Sequence, residues 1–362
     1  MYDRCYVCER SLGRNDVIAS MPIGRRLAFD AEHGRLWIVC PRCGEWNLTP
    51  LEERWEAVES CERLFATAPV RASSAHVGLA RTAGVELLRV GAAALRDELA
   101  NWRYGPRLRR RRQRAAVLVA GAGAAAGVVL GGAVLAGVET GSFALAAWGV
   151  AFAGVWGVDL MRSVGPVGGA SFIGPRGERV RLTRPLVECV RITRTSGAKR
   201  PRALVAVAGP SDNEERYGRD AALRLLAAVL PRLNWRGASG DELTRATRIV
   251  DAEEAIVADR ARRGGNPQPA WQRIAMVYWP PADLLSAMDP VPRLAFEMAV
   301  TEEVERLALA GEAAALEGRS RDAEEVAGIA DAMFLPAFVT DWLARHVRER
   351  GKRAGTSPGS AA

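Results

Sequence analysis

Four cysteines carry the plainest chemistry in the sequence. Cys5-Tyr6-Val7-Cys8 and Cys40-Pro41-Arg42-Cys43-Gly44 form two Cys-x-x-Cys pairs with 31 residues between them. Thiolates at this spacing, set on two tight turns, suit a tetrahedral ion that prefers sulfur. Zinc is the expectation. Iron and redox-active or unliganded thiols are the alternatives. In a reducing compartment, paired thiols point to metal before disulfide. Four thiolates fill a tetrahedral shell and leave no open catalytic position, so the ion's expected role is structural. Other chemistry is sparse. His33, His76 and His346 are the only histidines, and none sits in a metalloprotease or hydrolase motif. Gly121-x-Gly123 with Gly127 lacks both the preceding strand and the lysine of a phosphate loop.

The cysteine pairs need a small sheet to bring them together. Residues 16–20, 25–29 and 35–39 read as short strands, with a turn at residues 31–34. This region resembles a zinc ribbon, over the two knuckles and the strands between them. The resemblance implies a structural zinc site at Cys5, Cys8, Cys40 and Cys43. The second pair also has the Cys-Pro-x-Cys-Gly form found in rubredoxin, but Glu9 follows the first pair where rubredoxin has glycine. Thr49-Pro50-Leu51-Glu52 reads as a capping box opening a helix to about residue 65. Leu51, Trp55, Val58, Cys61 and Phe65 form its apolar stripe, which places Cys61 in a core. Residues 1–66 carry 9 arginines and 11 acids. That negative balance, made more so by four thiolates around a zinc ion, suits a protein partner better than a phosphate backbone.

Further along, 24 uncharged residues (115–138) and 17 more (142–158) flank a short turn. The first run spans roughly 36 Å as a helix, enough for a ~30 Å hydrocarbon core. Arg103, Arg107, Arg109, Arg110, Arg111, Arg112 and Arg114 precede it. By the positive-inside rule this reads as a transmembrane helical hairpin, both of whose flanks are cytoplasmic. The arginines from Arg107 to Arg114 would then meet anionic lipid headgroups. Gly123, Gly127 and Gly131 form a small-residue stripe for helix packing, within the hairpin or between copies of the chain. Arginine outnumbers lysine 48 to 2, a bias of high-GC bacterial genomes.

The whole reads as a multidomain membrane protein of the bacterial inner membrane. Residues 1–66 are the ribbon and its helix, 67–114 a connector with the basic block, and 115–160 the hairpin. Residues 161–350 form a cytoplasmic α+β domain ending in helices, and 351–362 a disordered tail. Within the α+β domain, residues 170–173, 178–182, 186–193, 202–208 and 274–279 read as strands. Glu302, Glu303 and Glu305 face solvent, or else dock a basic partner or the chain's own arginine block. The expected function is a membrane-anchored zinc-ribbon scaffold or regulator with a protein partner and no catalysis. An enzyme with its site in the C-terminal domain is the alternative, and a nucleic-acid-binding regulator a lesser one.

Overall fold

The computed structural model of the chain describes residues 3–82, 84–91, 94–135, 171–174, 176–194, 204–208, 214–334 and 337–354. A six-stranded sheet organises the N-terminal part. Strands β1 (Arg26–Asp30), β2 (Arg35–Val39) and β3 (Trp46–Leu48) run antiparallel, with Leu27 opposite Ile38 and Trp37 opposite Leu48. Helix α1 (Leu51–Thr67) then leads to β4 (Val70–Ser73), β5 (Val77–Thr82) and β6 (Val85–Val90). Strand β6 returns parallel beside β1, giving the order β3-β2-β1-β6-β5-β4. The sheet of the ribbon therefore continues past residue 66. Period-two alternation divides it into two faces. Leu27, Phe29, Leu36, Ile38 and Leu87 pack with Ala57, Val58 and Cys61 of α1. Trp37, Val39, Trp46, Leu88 and Val90 form the other face.

Two local expectations change. Residues 16–20 form bends instead of a strand, because the buried Asn15 side chain organises the loop. Its amide donates to the carbonyls of Met21 (2.9 Å) and Gly24 (2.8 Å) and accepts from the Ile18 amide (3.0 Å). The capping box at Thr49 is also absent. Pro50 is the N-cap, and the Thr49 hydroxyl instead donates to the Leu36 carbonyl at 3.0 Å, extending the sheet. Trp55 is 72% exposed and lies over Gly34.

Helices α2 (Arg96–Arg103) and α3 (Gly105–Leu135) join this sheet to a second core. Strands β7 (Ser171–Ile173) and β8 (Arg179–Arg181) pair, followed by the short helix α4 (Arg184–Glu188). Strands β9 (Arg191–Arg194), β10 (Leu204–Ala208) and β11 (Glu215–Gly218) make an antiparallel sheet in the order β11-β10-β9. Helices α5 (Arg219–Leu233), α6 (Gly240–Arg262) and α7 (Ala270–Val277) follow. A true capping box opens α6: the Glu242 amide donates to the Ser239 hydroxyl, and the Ser239 amide to Glu242. Residues 274–277 are helical where a strand over 274–279 was expected, since Trp271, Ile274 and Ala275 are buried at helical spacing. Tyr104 and Leu108 are buried in the same core as Leu225, Val229, Ile274 and Phe296. Gly237 brings the backbone tight against α3: at φ 70, a Cβ there would stand 2.2 Å from the Leu108 carbonyl oxygen.

One long helix, α8 (Pro290–Phe334), follows. The chain divides into two units, residues 1–305 and 306–362. The second unit holds the end of α8 and helix α9 (Ala337–Ala354), whose Phe338, Trp342, Leu343 and Val347 are exposed.

The membrane architecture is corrected by this structure. Among the described residues no helix is long and apolar enough to cross a membrane. Residues 115–135 of the expected hairpin continue α3, built largely from alanine and glycine; the rest of the first arm and the whole second arm lie outside the described residues. Of the arginines that argued for a cytoplasmic flank, Arg103 ends α2 and the others lie in the first turns of α3; Arg103, Arg107 and Arg111 are paired with the protein's own carboxylates. An integral inner-membrane placement accordingly finds no support. Gly123 is exposed, with open space where a Cβ would stand, and Gly127 and Gly131 lie on the same helix.

Candidate metal centre

The two cysteine pairs fold into matching turns. The Glu9 amide donates to the Cys5 carbonyl at 2.8 Å, and the Gly44 amide to the Cys40 carbonyl at 2.9 Å. The Cys5 amide donates to the Arg10 carbonyl (2.9 Å), and the Cys40 amide to that of Glu45 (2.8 Å). Both turns need a left-handed residue after the second cysteine. Gly44 supplies it at φ 79, and Glu9 adopts it at φ 53 despite its Cβ. The departure from glycine at position 9 therefore changes the strain of the turn and not its shape.

All four sulfurs lie within 4.8 Å of one another. Cys5 Sγ is 3.6 Å from Cys43 Sγ, and Cys8 Sγ is 3.6 Å from Cys40 Sγ. Sulfurs held at ~2.3 Å from a tetrahedral zinc stand ~3.8 Å apart. The cluster can therefore hold a metal ion such as zinc with little adjustment. Cys5 and Cys40 are buried and Cys8 and Cys43 half-buried. Hydrogen bonds from Cys43, Cys5 and Cys8 push the Cys40 thiol far down, while contact with Cys40 pushes Cys5 and Cys43 up. Four thiols packed together give up their protons when a cation binds them. Cys61 stays apart in the core behind α1, where burial pushes its thiol up to about 12.

Four thiolates around a divalent ion leave an excess negative charge, and buried arginines stand beside the site. Arg232 of α5 donates to the Val7 carbonyl, inside the first turn, at 3.2 Å. Burial pushes its guanidinium down to about 10, aided by Arg111 and opposed by Cys8, Glu9 and Cys43. It is still a cation at neutral pH. The Ser171 hydroxyl donates to Glu9, so the second core grips the first turn at two points.

Helix α3 grips the second turn. Arg107, Arg110, Arg111 and Arg114 fall at helical spacing on one face. Arg107 pairs with Glu45, two residues beyond Cys43, and with Glu297 of α8 at 2.5 Å. Arg111 shares Glu297 at 3.0 Å. Arg110 donates to the Pro41 carbonyl (3.2 Å) and Arg114 to the Arg42 carbonyl (3.1 Å). A Cβ on Gly44 would lie 3.7 Å from the Arg107 Cα. Burial raises the Glu297 carboxyl, but Arg111, Arg107 and the Asn234 amide outweigh it and hold the group below the usual carboxylate range. Beyond this pair, Arg103 binds Glu305 and Arg96 binds Glu302 at 2.7 Å. The acids of α8 therefore dock the chain's own arginines.

Of the arginines expected at a lipid surface, Arg107 is buried, Arg110 and Arg111 are half-buried, and Arg109, Arg112 and Arg114 are exposed. Sequence reasoning missed Glu45, Glu297 and Arg232. The signal for the first two was the helical spacing of the arginines, which demands a matching face of carboxylates. Nothing in sequence marks Arg232. Compared with protein-family models, with curated proteins and with solved structures, the chain matches none of them.

Proposed function

We propose that this chain is a zinc-ribbon interaction protein. A structural zinc ion at Cys5, Cys8, Cys40 and Cys43 fixes the ribbon, and the fixed ribbon presents a recognition surface to a protein partner. The observation that carries this reading is the closed set of four sulfurs within 4.8 Å of one another, gripped from two sides by Arg232 and by the α3 arginines. A closed thiolate shell stabilises a fold and leaves no position for substrate. Zinc is favoured over iron by the structural fit of a redox-inert ion to a site serving as a corner brace.

Two features support a protein partner. Residues 1–66 are net negative, and the arginines nearest the cysteines are engaged with carboxylates and carbonyls of the chain, which weakens any phosphate contact there. Trp55, exposed beside the β1–β2 turn, is a residue type that anchors protein interfaces. The test is a cross-linked pull-down from native extract with and without nuclease, using the full chain and its Cys40→Ser/Cys43→Ser variant as baits. A discrete protein retained by the wild type, indifferent to nuclease and lost with the variant, is the expected outcome. Equal capture by the metal-free variant, or a catch abolished by nuclease, would overturn the reading.

A further inference from the structure

A cavity of about 220 Å³ lies where α2 and α3 cross the Trp46 face of the six-stranded sheet. Trp46 and Leu88 line it from the sheet, Trp102 and Arg103 from α2, Arg110 from α3 and Arg26 from β1. Its charges do not cancel. Arg26 is paired with Glu86 at 2.5 Å, and Arg103 with Glu305. Arg110 touches the Pro41 carbonyl and has no acidic partner among the described residues. The site therefore keeps one uncompensated positive charge.

We infer that this cavity is a binding site for a small flat aromatic monoanion. Trp102, Leu79, Leu88 and Pro106 offer apolar walls, and Arg110 offers donors to a single carboxylate. Size agrees: a cavity of ~150 Å³ takes up benzene, so this one has room for a two-ring molecule. One net positive charge selects one negative charge. The site is separate from the cysteine shell, yet Gly44 also lines it, so an occupant would lie against the second cysteine turn.

The probe is naphthalene-2-carboxylate, titrated into the full-length, metal-loaded protein and followed by calorimetry and by tryptophan emission. Its uncharged counterpart, 2-naphthamide, is titrated in parallel. Saturable one-to-one binding of the acid is expected, at least about tenfold tighter than the amide, as a charge-assisted hydrogen bond supplies. Arg110→Gln should weaken the acid about tenfold and leave the amide unchanged, and Arg110→Lys should restore part of the difference. Equal affinity of wild type for acid and amide, or no saturable binding of the acid, would overturn the inference. That comparison uses the native chain alone and stands even if a variant folds poorly.

Discussion

Arg107 and Glu45 form an ion pair in which each side chain is only 2% exposed, two residues beyond the last cysteine of the cluster. The pair joins the cysteine turn to α3, and through Glu297 it joins both to α8. The ribbon is therefore built into the larger unit, which is why the cysteine geometry and the packing of the C-terminal core belong to one account.

Arg107→Met should cost about 3–5 kcal/mol, because it strands the Glu45 carboxylate in the interior. The paired replacement Arg107→Met/Glu45→Leu should recover most of that loss, since apolar side chains of similar size tolerate the site. Urea denaturation at neutral pH reads both. A loss under about 1 kcal/mol for the single variant would mean the pair is solvated.

Glu9 sits at φ 53 in a turn that its counterpart fills with glycine. Glu9→Gly should raise stability by about 1 kcal/mol through relief of that conformation. The hydroxyl of Ser171 loses its acceptor in the exchange and trims the gain. Thermal melts of the metal-loaded proteins decide it. A lower melting temperature for the variant would show that the Ser171 contact outweighs the strain.

Acid should act through Glu297. Its carboxyl titrates lower in the folded chain than in the unfolded one, so the stability it confers is present above the unfolded value, ~4.3, and fades as pH falls below it. Glu297→Gln should cost about 3–5 kcal/mol at pH 7, leaving Arg111 without its carboxylate. The gap to wild type should narrow below pH ~4.3. Thiolate protonation is common to both chains and cancels in the comparison. A gap that holds constant from pH 7 to pH 3.5 would contradict the assignment.

Much of the metal site was legible because its determinants are local. Two Cys-x-x-Cys turns need only their own residues, and the β1–β2 hairpin follows from alternation. The pairing of β5 with β6 over residues 77–90 is local in the same sense. The joining of β6 to β1 was not legible, because a parallel pairing such as Leu27 opposite Leu87 leaves no local signal. The larger error came from reading seven arginines as a sum. Counted together they resemble a membrane flank. Placed on a helix, Arg107, Arg111 and Arg114 share one face, and that face meets Glu45, Glu297 and the second cysteine turn. The acids on α8, read as a solvated face or else as a dock for the chain's own arginine block, hold the partners Glu302 and Glu305. Residues 274–279 were misread because a short apolar run has no period that separates strand from helix.

The proposed brace of the ribbon is one zinc ion held by four thiolates. The metal content of the purified full-length chain, read by elemental mass spectrometry beside the Cys40→Ser/Cys43→Ser variant and a chelator-driven unfolding curve, tests it. One zinc per chain in the wild type, near none in the variant, and loss of the folded ribbon as zinc is withdrawn are the expected results. Iron in the site, or a chain that stays cooperatively folded with all metal removed, would contradict the account.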